Sequence, residues 1–350
     1  MKRLIAYTAM LALLLGCKEN PTDVEDTFDK EAMLTNMAEN VIVPAYRQFD
    51  EDAKTLRDAS VAFTEDSSEE NFGVLTGAFI RSYRSWNACA VFEFGPAADK
   101  NLRLTMNTFP TDTGQIMENL RAESYDLKSA QNADAIGFPA LDFLLNTMAA
   151  EDKVVMDDPK AAAYIQANAE LIATLSSEII SEWGSYQSEF QSNTSSSAGS
   201  SLSNLVNEIN YEFELVKNAR IGIPLGKKTL GETQVEKLEG YYFNISSSLA
   251  TSNLSGIRNA FTGGDGQGLD DYLNDLDVKK DGVLLSTAIV ELMDEIEQEL
   301  QGKDLAHKIT NDPSSLESLY NKTQQLVVLL KTDMPSQLGV QITYQDNDGD

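Results

Sequence analysis

Residues 165–190 read IQANAELIATLSSEIISEWGSYQSEF. Ile165, Asn168, Ile172, Leu175, Ile179, Trp183, Tyr186 and Phe190 follow one another at steps of three or four. That period collects them on one face of an α-helix, whereas a half-buried strand alternates. Upstream, Phe72, Leu75, Phe79, Tyr83, Trp86 and Ala90 repeat the spacing. So do Met33, Met37, Val41, Ala45, Phe49, Ala53 and Leu56, with Pro44 among them, where a kink is expected. Downstream come Leu202, Val206, Ile209, Phe213 and Val216, then Leu285, Ile289, Leu292, Ile296 and Leu300, then Leu316, Leu319, Thr323, Leu326 and Leu330. The chain therefore reads as all-α, built from long amphipathic helices with one buried face each. The aromatic residues on those faces belong to the core before they belong to any ligand.

The period stops at residues 191–203, QSNTSSSAGSSLS, which has no buried face and reads as a linker. It separates residues 30–190 from 204–350, each long enough for a four-helix bundle. The expected architecture is two tandem up-down helical bundles with a cleft between them. A ligand site is expected in that cleft. Glycine and proline interrupt regular helix at Phe94-Gly95-Pro96, at Gly137-Phe138-Pro139-Ala140-Leu141-Asp142 and at Ile221-Gly222-Ile223-Pro224-Leu225-Gly226. Residues 263–268, GGDGQG, form a loop that lacks the Lys-Ser/Thr of a phosphate-binding loop, which excludes nucleotide binding there.

At the other end, Lys2 and Arg3 precede an apolar run from Leu4 to Leu15 that closes in Leu14-Leu15-Gly16-Cys17. A charged start, an apolar segment too short to span a bilayer and a small residue before Cys describe a bacterial lipoprotein signal. Residues 1–16 are then removed, Cys17 carries the lipid, and residues 17–29 are a polar tether. The partner so implied is a membrane, reached through the Cys17 lipid. Lys18 does not resemble the Asp that retains lipoproteins in the inner membrane, so the expected location is the cell envelope at the outer membrane, with the face left open. Acidic residues number 55 against 27 basic ones, a formal charge of −28. Such a surface repels nucleic acid and suits cations or a plain solvated exterior. Once Cys17 is lipidated, Cys89 stands alone, so stability must come from a hydrophobic core.

The irregular segments, taken in order, resemble the imelysin family. Its early Asn and Pro-x-Tyr correspond to Asn40, Pro44 and Tyr46. Its Trp and Phe-Gly-Pro correspond to Trp86 and Phe94-Gly95-Pro96. Its hallmark Gly-x-His-x-x-Glu is similar to Gly137-Phe138-Pro139-Ala140-Leu141-Asp142, and its Arg-x-Gly-x-Pro-Leu-Gly to Arg220 through Gly226. The ending Leu338-Gly339-Val340 and Asp346-Asn347-Asp348-Gly349-Asp350 is similar as well. The resemblance covers residues 36–350 and implies an exported helical protein linked either to iron uptake or to peptidase activity. It implies a ligand site at Gly137, Phe138, Pro139 and Asp142, joined by Arg220, Gly222, Pro224 and Trp86.

The departures bear on the chemistry. In the family pattern a His and a Glu three residues apart can share one metal ion. Pro139 stands in place of that His and has no ligand atom, while Asp142 stands in place of the Glu and is one methylene shorter. Asp142 is the remaining metal candidate, for iron or another divalent or trivalent ion. Asp134, Arg84 and Glu93 are further candidates for a remodelled pocket. The bland alternative is that Pro139 and Asp142 simply start a helix, with proline and an acid in its first turn. The sole histidine, His307, reads as a surface or capping residue. The acidic tail has the start of a calcium loop without its closing Glu and reads as solvated, with weak calcium binding as the alternative. A non-enzymatic binding component of iron or metal-ligand uptake, contacting a metal chelate or an uptake receptor, is the first functional expectation. An atypical imelysin-like peptidase is the second. A peptide or glycan binder using Trp86 or Trp183 as a stacking surface is the third.

Overall fold

The computed structural model describes residues 27–122, 124–149 and 158–344. The signal segment, Cys17, the tether as far as residue 26 and the acidic tail 345–350 lie outside the described residues. Among the described residues the regular secondary structure is helical except for one two-stranded hairpin.

Helix α1 runs through Lys30–Asn36, a π-helical stretch Met37–Ile42 and Val43–Glu65. Asp29 caps it by accepting the Ala32 N–H at 2.9 Å. Met33, Met37, Val41, Phe49, Ala53 and Leu56 are buried, as their spacing requires, while Ala45 is half-buried. Pro44 has no N–H and crowds the carbonyl four residues earlier. The wider π-helical turn immediately upstream is where the helix accommodates it. Helix α2, Glu69–Cys89, passes into a 3₁₀ turn, Ala90–Phe92. The Tyr46 hydroxyl donates to the Phe92 carbonyl at 2.8 Å and fixes that turn against α1.

Short helices α3 (Pro96–Asp99), α4 (Leu102–Asn107) and α5 (Thr113–Arg121) lead to α6 (Gly137–Ala149) and the long α7 (Pro159–Ser192). The serine-rich segment is partly helical: α7 continues to Ser192 and α8 (Ser201–Leu215) begins with Ser200 as its cap, accepting the Ser203 N–H at 3.2 Å. Serine favours loops because its hydroxyl competes for backbone groups, and the same property makes it a helix cap. Helix α8 passes into a second π-helical stretch, Val216–Gly222.

The remaining helices are α9 (Ser246–Thr262), α10 (Leu269–Asp275), α11 (Leu285–Leu300), α12 (Leu305–Asn311) and α13 (Glu317–Val328, extended through Leu329–Asp333 and Met334–Leu338). Strands β1 (Lys279–Lys280) and β2 (Val283–Leu284) pair antiparallel, Lys279 opposite Leu284. Helical period gave no sign of them. Their signal is the turn Asp281-Gly282, where both residues have positive φ, 53° and 86°, as a tight two-residue hairpin turn demands.

Helix α1 packs on α2 and α7, and α2 packs on α9, which joins the earlier and later parts of the chain. One continuous set of buried apolar residues extends from Met33 to Val340. At the α2–α9 crossing the backbones nearly touch: a Cβ on Gly256 would stand 2.2 Å from the Ala88 carbonyl oxygen. Only glycine permits that approach.

Candidate functional site

The first turn of α6 is built around Gly137. Its φ is +76°, and a Cβ there would meet the Met106 carbonyl oxygen at 2.4 Å. Its N–H donates to Asn168 Oδ1 of α7 at 3.0 Å. Phe138 is fully buried and stacks on Tyr83 of α2, centroids 4.7 Å apart and planes 7° apart. Pro139 is the third residue of α6, within the turn whose N–H groups have no helical partner, so its missing N–H costs the helix nothing.

Asp142 is not a first-turn acid. It is the sixth residue of α6, and it accepts the backbone N–H groups of Tyr242 at 3.0 Å and Phe243 at 3.1 Å, one on each carboxylate oxygen. The reading of Pro139 and Asp142 as a simple helix start is corrected on that point, because the carboxylate holds a distant segment rather than its own helix end. Burial pushes the Asp142 carboxyl up to about 7, against the two N–H bonds and with the Glu239 charge adding to the rise.

Next to this tie lies a buried ionic network. Arg220, at the end of the π-helical stretch, donates from Nε to Glu239 at 2.5 Å, and its Nη2 lies 3.1 Å from Glu212 and 3.2 Å from Asn87 Oδ1. Glu239 also accepts from Asn87 at 2.9 Å and Asn107 at 2.8 Å. Asn107 accepts the Tyr83 hydroxyl at 2.7 Å. Glu212, fully buried on α8, accepts from Asn253 of α9 at 2.7 Å and from Arg103 of α4 at 3.0 Å. Arg103 also meets Glu208 at 2.7 Å. Burial works to raise the Glu212 pKa, but Arg220 and Arg103 outweigh it and hold the carboxyl below its ordinary value. Glu93 receives the Arg103 backbone N–H at 2.9 Å, yet burial pushes it up to about 7.

The structure thus brings Phe138, Asp142 and Arg220 to one region, with Gly137 and Pro139 shaping the helix start. Gly222 and Pro224 are buried and shape the chain around Arg220: Gly222 closes the π-helical stretch, and the Pro224 carbonyl accepts the Gln234 N–H at 2.9 Å. Trp86 and Trp183 are both fully buried in aromatic clusters, so neither ring faces solvent. Of the three added candidates, Glu93 joins the network, whereas Arg84 and Asp134 are exposed elsewhere. His307 is exposed on α12, with its N–H held by the cap Asp304 at 2.8 Å.

The partners that the sequence did not single out are Asn87, Arg103, Asn107, Glu212, Glu239 and Asn253. Several sit one residue beside an apolar stripe position, as Asn87 follows Trp86 and Glu212 precedes Phe213. A periodicity argument has no means of separating such a position from an exposed flank.

A cavity of about 230 Å³ adjoins the network between α4 and α8, with Arg103, Arg220, Glu212 and Asn107 in its wall. Arg220 Nη1 and Trp86 Nε1 are buried without a hydrogen-bond partner among the described residues. An unpaired buried donor costs about 1–3 kcal/mol.

The donor set does not fit a protein-held metal ion. Pro139 supplies no donor, both Asp142 oxygens are engaged by Tyr242 and Phe243, and no group of three or more His, Cys, Asp or Glu able to hold a metal occurs among the described residues. No helix among them is long and apolar enough to cross a membrane.

Comparison with known proteins places this arrangement in context. The family model for imelysin, of the M75 peptidase grouping, matches residues 42–332. No curated protein matches the sequence. Among solved structures, an imelysin-like protein from Psychrobacter arcticum 273-4 superposes with a TM-score of 0.72 at 18% identity, covering 90% of this chain and 97% of its own. A protein from Parabacteroides distasonis ATCC 8503, named as an iron-regulated protein A precursor, superposes with a TM-score of 0.72 at 14% identity, covering 88% and 95%. At those identities the likeness is one of fold.

Proposed function

This chain belongs to the imelysin family, and we propose that it is a lipid-anchored protein of the cell envelope that binds a metal–ligand complex in iron or other metal uptake, without catalysing a reaction. The observation that carries this reading is the state of Asp142. With both its oxygens on backbone N–H groups and Pro139 beside it, the hallmark segment offers a bare ion no set of ligands. A complex that brings its own ligands needs only a shaped wall with a few polar groups. The name of the Parabacteroides neighbour supports a link to iron. The acidic surface favours a cationic cargo or partner. Cys17 supplies the membrane attachment, at the outer membrane by the reading of Lys18, and an uptake receptor is the expected recipient.

The test uses the full chain in detergent, stripped with chelator and titrated by calorimetry with Fe(III), Fe(II), Zn²⁺ and Ca²⁺, then with ferric citrate and haem. Stoichiometric binding of a complex without binding of the bare ions is the expected result. Binding of a bare ion that disappears in Asp142→Ala overturns it, and so does peptide hydrolysis that disappears in the same variant. The anchor has its own check: Cys17→Ser should move the protein from the membrane fraction to the soluble one.

A further inference from the structure

A groove of about 430 Å³ lies where α1, α2 and α9 meet the loop 263–268. Asn40 and Pro44, singled out in the sequence and unused by the Asp142 region, stand in its wall. Pro44 is exposed and Ala45 and Ala88 are half-buried, which gives the groove an apolar floor open to solvent. Its polar side chains Asn40, Gln48, Asn259 and Asp265 are all exposed, and no lysine or arginine lines it.

The hydrogen bonds around the groove fix which way its amides face. Asn36 Nδ2 donates to the carbonyls of Gly263 at 2.9 Å and Gln267 at 2.8 Å, groups that can only accept. Asn36 Oδ1 is therefore turned to Asn40, whose Nδ2 donates to it at 3.0 Å, and Asn40 Oδ1 is left over. Gln48 Nε2 likewise donates to the Asp52 carboxylate at 3.2 Å and leaves Oε1 over. The Ser85 hydroxyl donates to the carbonyls of Arg81 and Ser82, at 3.2 and 3.1 Å, and keeps only acceptor capacity. Asp265 adds a carboxylate with no hydrogen-bond or ion-pair partner among the described residues. The loop that carries it is pressed against α1, since a Cβ on Gly266 would stand 2.1 Å from Asn36 Oδ1.

The free groups of this wall are oxygens, apart from the Asn259 amide, and the wall carries one negative charge. Its complement brings N–H donors and a positive charge. An anion meets Asp265 and finds no cation, and a bare metal ion finds a single charged ligand. We propose that the groove binds a small organic cation, a primary ammonium or guanidinium carried on a compact apolar body. The volume lies in the range of small-molecule sites, roughly 300–1,000 Å³. The groove shares no lining residue with the Arg220 network, so the proposal does not rest on the uptake reading.

The experiment titrates the full chain in a nonionic detergent by calorimetry. The probes are benzylammonium, benzyl alcohol and benzyltrimethylammonium. Benzylammonium should bind saturably with a Kd of about millimolar, the range expected of a fragment this small. Benzyl alcohol lacks the charge and benzyltrimethylammonium lacks the N–H donors, so each should bind at least about threefold more weakly. Asp265→Lys should raise the benzylammonium Kd at least about tenfold, and Asn259→Asp should lower it at least about threefold, both with the melting temperature kept. Glu70→Lys makes the same charge change roughly 22 Å along α2 from Ser85, beyond the reach of screened charge, and should leave the Kd unchanged. No saturable binding of benzylammonium, an equal effect of Asp265→Lys and Glu70→Lys, or either control probe binding as tightly as benzylammonium overturns the proposal.

Discussion

Arg220 and Glu239 form an ion pair at 2.5 Å in which both side chains are more than nine-tenths buried, 4% and 2% exposed. Nineteen residues separate them in sequence, and the carboxylate also gathers Asn87 and Asn107 from the earlier part of the chain. Removing one member of such a pair leaves the other charged and enclosed. Glu239→Ala should lower the unfolding free energy by about 3–5 kcal/mol in urea titration. Lys308→Ala, which breaks an exposed pair with Asp312, should change it far less. Equal effects from the two would refute a structural role for the network.

Asp142 makes stability depend on pH. Its folded carboxyl titrates at about 7 against an ordinary value of 3.8, so the folded state binds the proton more tightly than the unfolded chain. That contribution is fully present below about pH 4 and is lost as pH rises through about 7, a change on the order of 4 kcal/mol. Asp142→Asn removes the titration. The difference in unfolding free energy between the variant and the parent should therefore change across pH 4 to 7, with the parent losing ground. A constant difference across that window would show that Asp142 is charged throughout.

The α2–α9 crossing depends on the absence of a side chain at Gly256. Gly256→Ala places a Cβ against the Ala88 carbonyl and should destabilise by about 1–3 kcal/mol. Gly184→Ala on α7, where nothing lies within 4 Å of the added atom, should stabilise by up to about 1 kcal/mol. Thermal melting of the two variants beside the parent measures both.

Restoring the family histidine should not by itself restore a metal site. Pro139→His adds one nitrogen ligand, but Asp142 remains engaged by Tyr242 and Phe243. Calorimetry with Zn²⁺ should show no stoichiometric binding to the variant. Tight binding would mean that the carboxylate leaves its backbone partners readily for a metal.

The helices were legible because burial on one face imposes a period, and Ile165 through Phe190 obey it over the whole of α7. The hairpin at Asp281-Gly282 went unread: strands of two residues are too short to show alternation, and only the turn residues mark it. The ionic network was not legible. Asn87 and Glu239 are 152 residues apart, and nothing local to either residue announces the other. Asp142 stood out through its motif position, yet its true partners are peptide groups a hundred residues away.

Because Asp142 grips the main chain at 242 and 243, any side chain at those two positions is compatible with the grip except proline, which has no N–H to donate. Mutational drift among the other residues leaves the tie intact, so paired substitutions, the usual trace of spatial contact, would not record it. What selection can act on instead is spacing: an insertion or deletion between Gly226 and Tyr242 would carry the two N–H groups out of reach with every contacting residue unchanged.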